Sequence, residues 1–84
     1  MALFQTTKTR EENSMNRISV SSSNISSIGY DPVSQILEIE FNDGSVYQYD
    51  GVPSGEYDGI MHAGSHGQYF HQHIKDVYPY RKVN

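Results

Sequence analysis

The 84-residue chain contains no cysteine and no tryptophan. The first absence rules out disulfide staples and thiolate metal sites and suits a reducing compartment. No apolar run approaches the roughly 18 residues that a membrane-spanning helix needs, and the N-terminal stretch lacks the apolar core of a signal peptide. The expectation is a soluble cytoplasmic protein, of a bacterium or of an infected host cell, with no membrane partner. Positive charge is also scarce. Six Lys and Arg stand against ten Asp and Glu, a formal net charge of −4 with the histidines neutral. Broad electrostatic attachment to nucleic acid, which depends on cations neutralising phosphates, is therefore disfavoured, while a local basic patch is not. A chain this short buries only about 60% of its unfolded surface, so it is expected to form one small, marginally stable domain.

The strongest local signal lies in residues 35–50, where two β-rich runs flank Asp43-Gly44. Such a pair between alternating apolar residues is a hairpin signature. Leu37, Ile39 and Phe41 alternate with Glu38 and Glu40, predicting one buried face and one solvated face. The turn decides which face holds Tyr47 and Tyr49. A two-residue Asp43-Gly44 loop puts Phe41 opposite Val46 and leaves both tyrosines on the glutamate face. A three-residue Asn42-Asp43-Gly44 loop closing with a G1 bulge sets Ile39 against Tyr47 and Leu37 against Tyr49, in the core. The second arrangement enlarges an otherwise thin core with two aromatics and is favoured on that ground.

Upstream, residues 1–14 are polar and read as a flexible N-terminal extension, leaving a domain over residues 15–84. Residues 17–20 alternate as a short strand, and residues 25–30 resume strand character with Ile28 and Tyr30 on one face. Asp31-Pro32-Val33-Ser34 has the chemistry of a turn and is expected to set Ile28 opposite Leu37. Downstream the period changes. Tyr57, Ile60 and Met61 recur at helical spacing behind Ser54, a candidate N-cap. Ser65-His66-Gly67-Gln68 has the form of a capping box opening a second helix, with Phe70, Ile74 and Val77 on one face until Pro79 ends it. The predicted architecture is α+β: a three- to four-stranded antiparallel β-meander packed by two short C-terminal helices.

Several of these segments together resemble the KTSC domain family. They are Val20-Ser21-Ser22-Ser23-Asn24-Ile25, Ser27-Ile28-Gly29-Tyr30-Asp31, Tyr47-Gln48-Tyr49, Val52-Pro53, Tyr57, and Ser65-His66-Gly67-Gln68-Tyr69-Phe70 through Tyr78-Pro79-Tyr80. The family is a short module named for its occurrence at the C-terminus of some lysyl-tRNA synthetases. It also occurs as stand-alone proteins of bacteria and phages. The resemblance carries no established activity, and what it implies is RNA binding, from the synthetase context. In relatives the segment before Tyr69-Phe70 often reads Ser-Lys-Gly-Arg, and the one after it Asn-Arg-His. Here Ser65-His66-Gly67-Gln68 and His71-Gln72-His73 stand in those places, so histidine and glutamine replace stronger cations.

The residues offer few alternatives in catalysis. No nucleophile elbow or phosphate-cradling glycine loop is present. Glu38 and Glu40 share a strand face, for which solvation is the ordinary meaning. His62, His66, His71 and His73 fall close together, but His71 and His73 point to different sides of a helix, and Gly64-Ser65 separates His62 from His66. His73 is expected near the helix interface. No metal, cofactor or enzymatic activity is expected. The candidate ligand-binding surface comprises Ser65, His66, Gly67, Gln68, Tyr69, Tyr80 and Arg81, a helix N-terminus offering free N–H groups beside tyrosines that stack on a base. Tyr30, Tyr47, Tyr49 and Phe70 are expected as structural or stacking aromatics. The ligand would be RNA or a small phosphate-bearing nucleotide, including a nucleotide sequestered by a phage or bacterial accessory protein. The alternative is a protein-interaction or self-assembly module, such as a homo-oligomer, using exposed tyrosines and a strand edge.

Overall fold

The computed structural model describes residues 15–84, so the expected extension lies outside the described residues. Five strands form one antiparallel sheet in sequence order: β1 (Arg17–Ser19), β2 (Ile25–Asp31), β3 (Ile36–Phe41), β4 (Val46–Tyr49) and β5 (Tyr80–Lys82). Between β4 and β5 run α1 (Ser54–His62) and α2 (His66–Tyr69), and α2 passes directly into a π-turn over Phe70–Ile74. The α+β meander with two short helices is thus the observed fold, with one strand more than the three or four expected. β5 is that strand. It adds to β4 after the helices, where the sequence suggested only a basic tail.

The central hairpin takes the three-residue loop. Phe41 N–H donates to the Ser45 carbonyl, Gly44 N–H donates to the Phe41 carbonyl, and Gly44 adopts a φ of 91°. Such a left-handed position is what a G1 bulge requires of its glycine. Leu37 consequently pairs with Tyr49 and Ile39 with Tyr47, and both tyrosines share the apolar face. On the other side of β3, Ile28 pairs with Ile39 and Tyr30 with Leu37. The expected Ile28–Leu37 pairing is therefore off by two residues. The turn runs two residues longer, with Gln35 at a φ of 57°, and the even slip leaves every side chain on its predicted face. A bulge between Ile25 and Ser27 inserts Ser26, so Ile25 and Ile28 both reach the core although they are three residues apart.

Burial follows this register. Ile25, Ile28, Leu37, Ile39 and Tyr49 meet Val52, Ile60, Phe70 and Ile74 from the helical layer. The cap of α1 is Pro53 rather than Ser54, with no side-chain cap bond, whereas Ser65 caps α2 by accepting from the Gln68 N–H at 3.2 Å. The second helix ends earlier than its apolar spacing predicts. Lys75 N–H donates to the Phe70 carbonyl in the wider π pattern, and Lys75 then turns extended. Asp76 follows at a φ of 63°, a left-handed conformation that aspartate tolerates better than most residues. Val77 therefore leaves the core face and is 59% exposed. Among the described residues, no helix is long and apolar enough to cross a membrane.

Candidate functional site

The helical layer covers the sheet unevenly. It seals the apolar face over β2 and β3 but leaves the β4–β5 end open, because Phe70 is the last ring that the π-turn sets down there. The result is an open groove of about 590 Å³ beside the π-turn. Its wall is an aromatic cluster held by edge contacts. Phe41 meets Tyr47 and Phe70 at ring-centre distances of 5.7 and 5.4 Å, and Tyr49 meets Phe70 at 5.5 Å. Tyr80 then leans over both Tyr47 and Tyr49, each 5.8 Å away. Such tilted contacts satisfy the ring quadrupoles while leaving ring faces uncovered. Tyr49 is buried, and its hydroxyl is pushed up to about 12 by burial, with Tyr47, Tyr80 and Asp76 contributing. Tyr80 is 59% exposed and forms the open lip.

Polar groups rim the groove. Asn24 and Asn42 stand at one end, joined by Asn42 N–H donating to the Asn24 carbonyl at 2.9 Å. His71 and Lys75 project from the π-turn side, both exposed. Asp43 is tied into its own turn, accepting from the Ser45 N–H and hydroxyl at 2.9 and 2.7 Å. Those bonds, with Lys82 nearby, hold its carboxyl below the usual range.

The opposite face of the sheet is built differently. Arg17 forms an ion pair with Glu38 and donates through Nε to the Ser27 hydroxyl at 2.9 Å. Ser27 donates in turn to Glu40 at 2.8 Å. Glu38 also accepts from Gln48 at 2.8 Å, and Gln48 accepts from Arg81, which pairs with Asp50 at 3.0 Å. This ladder draws side chains from all five strands. Glu38 is only 4% exposed, so the expectation of a solvated glutamate face is wrong for it: Arg17 and Gln48 replace its water.

The residues expected to form one ligand surface are distributed over three places. Ser65 and Gln68 cap α2. His66 Nδ1 donates to the Ile60 carbonyl at 2.7 Å, and Gly67 packs so closely on Asn24 that a Cβ there would meet its side-chain oxygen at 2.5 Å. Tyr69 crosses to α1, where its hydroxyl donates to Glu56 at 2.5 Å and its ring lies against Gly59. That bond to Glu56 pushes the Tyr69 hydroxyl up to about 12. Arg81 and Tyr80 are neighbours in β5 and therefore face opposite sides, Arg81 in the ladder and Tyr80 in the groove. Tyr30 is structural: it stacks on Tyr57 at 5.0 Å and donates to the Val52 carbonyl at 2.6 Å. His73 is exposed and stacks at 4.2 Å on Tyr69, the ring that crosses to α1, which sets it beside the helix interface. Of the expected aromatics, the groove brings together Tyr47, Tyr49, Phe70 and Tyr80.

The family model for the KTSC domain matches residues 21–78, most of the chain. The chain belongs to the KTSC domain family. The crystal structure of a KTSC domain protein from Yersinia pestis superposes with a TM-score of 0.81 at 45% sequence identity, covering 84% of this chain and all of that one. A protein of Stutzerimonas stutzeri, described only as uncharacterized, is 43% identical over 61 residues, which span 73% of this chain and 86% of that protein. A lysine–tRNA ligase of Nostoc sp. strain PCC 7120 is 40% identical over 55 residues, 66% of this chain but only 10% of the ligase. The KTSC domain thus stands alone in small proteins and matches a short stretch of a much larger enzyme. Phe41, His71 and Lys75 belong to the groove, although the sequence places none of them in the expected ligand surface. The alternation that makes Phe41 a core residue marks it only as architecture, and the π-turn that aims His71 and Lys75 leaves no periodic signature.

Proposed function

We propose that this KTSC domain is a non-catalytic binding module for RNA or a nucleotide, with its site in the aromatic groove. The observation that carries the reading is the open lip formed by Tyr80 over Tyr47 and Tyr49, a half-exposed ring set on a rigid sheet. Every base offers a flat face to such a ring. The partial match to a lysine–tRNA ligase supports an RNA setting without assigning the ligase's chemistry to this chain. Ser65 to Gln68 then serve the helix end, and Arg81 serves the outer ladder.

A second reading, a protein-interaction or self-assembly module, draws on a separate observation. The edge strands β1 and β5 are exposed along their whole length, and Val77 lies uncovered near β5. Native mass spectrometry of protein purified gently from its own host separates the two. A retained species with the mass of a nucleotide or short RNA supports the groove reading. A ligand-free oligomer, or a stoichiometric protein complex, supports the second.

A further inference from the structure

The cations of this domain are divided between the two faces of its sheet, and the division bears on what the groove can hold. Residues 15–84 contain four Lys and Arg: Arg17, Lys75, Arg81 and Lys82. Both arginines lie on the outer face, engaged by Glu38, Glu40 and Asp50. Both lysines lie on the groove side. Lys75 lines the groove, and Lys82 pairs with Tyr47 across β4 and β5, which puts it on the tyrosine face. Among the described residues neither lysine is in an ion pair. Asp43 and Asp76 also line the groove, so its fixed charges nearly balance. A ligand held mainly by phosphate charge meets little net attraction there, whereas a base stacking on Tyr80 and Tyr47 does not depend on it.

Resting on the groove reading, we propose that the occupant is a short stretch of single-stranded RNA, bound base-first by stacking on Tyr80 and Tyr47, with Lys75 and Lys82 meeting no more than two phosphates. Paired RNA is excluded because its bases are stacked on one another and its faces are unavailable to a ring. The groove is open to solvent rather than an enclosed cavity, so a strand need not be swallowed whole to be bound.

The test is fluorescence anisotropy with a labelled oligoadenylate of about eight nucleotides, within the usual site sizes of single-strand binders. It is run alone, annealed to its complement, and in competition with adenosine monophosphate. The single strand is expected to bind at least tenfold more tightly than the duplex. The logarithm of its affinity should fall against the logarithm of salt with a slope no steeper than about −1.4, the value for two phosphates on a single strand. Lys75→Gln and Lys82→Gln, both at exposed positions, should each make that slope shallower by about 0.7. Equal binding of the duplex, or a slope of about −3 or steeper, overturns the base-first inference while leaving RNA binding in place. Displacement by the mononucleotide at concentrations matching the oligomer's own affinity overturns the single-strand occupant and leaves a small-nucleotide groove. Absence of binding by every probe overturns both this inference and the groove reading beneath it.

Discussion

The two faces of the sheet use similar chemical material to opposite ends. On the outer face, Arg17, Glu38, Gln48, Arg81 and Asp50 satisfy one another in a ladder that crosses every strand. Charge there is consumed internally, and little is left to recognise a partner. On the inner face, the helices cover the apolar surface over part of the sheet and stop short of the groove. Tyr80 and Tyr47 are left with only edge and tilted ring contacts, and among the described residues Lys75 and Lys82 form no ion pair, although Lys82 lies near enough to Asp43 to favour its charged form. Charge and aromatic surface count as a site only where the fold leaves them unspent.

The sharpest way to break this comparison is Glu38→Ala. It removes the buried partner of the Arg17 guanidinium and one acceptor of Gln48, and is expected to destabilise the domain by about 2–3 kcal/mol, less than a fully buried pair because Arg17 keeps Ser27, Glu40 and some contact with water. Chemical denaturation measures the loss, and RNA affinity at a temperature where the variant is folded should be unchanged. Tyr80→Ala should do the reverse. It removes one stacking ring, weakening base binding by about 1–3 kcal/mol in a titration while the melting temperature barely moves, since the ring is largely exposed.

Alkaline pH sharpens the contrast within the aromatic set. Burial pushes the Tyr49 hydroxyl up to about 12 from its ordinary 10.0, so the folded state holds its proton more tightly than the unfolded chain does. The associated stability is fully present below pH 10 and is lost as pH rises towards 12. A melting series over that range should show the decline, and Tyr49→Phe should make it shallower, the remainder belonging chiefly to Tyr69, whose hydroxyl is also pushed up to about 12. The smallest effect belongs to Arg81→Ala. Its pair with Asp50 is exposed, so stability should fall by less than about 1 kcal/mol and RNA affinity should not change. A marked loss of affinity would return Arg81 to the ligand surface.

Much of this architecture is legible before any coordinates. Alternation through Leu37, Ile39 and Phe41, with Asn42-Asp43-Gly44 between the runs, is enough to favour the register that buries Tyr49, because pleat and turn type are local properties. Ser65 likewise announces the α2 cap. What escapes depends on distant partners. Tyr80-Arg81-Lys82 is too short to read as a strand and gains that identity only from the exposed edge of β4. Val77 keeps helical spacing with Phe70 and Ile74, but a π-turn and a left-handed Asp76 rotate it out of the core. Glu38 reads as solvated until Arg17 and Gln48, 21 and 10 residues away, close on it. The candidate site suffered most from this. Tyr80 and Arg81 are adjacent in sequence, and only once β5 exists do they part to opposite faces.

The most direct test of the account is an NMR titration of the protein with a short single-stranded RNA, following side-chain signals on both faces at once. The ring protons of Tyr47 and Tyr80 are predicted to shift upfield as bases stack on them, while the Nε–H signals of Arg17 and Arg81 stay in place. Shifts at the two arginines with unmoved tyrosine rings would contradict it, and would make the outer ladder, not the groove, the face that meets a ligand.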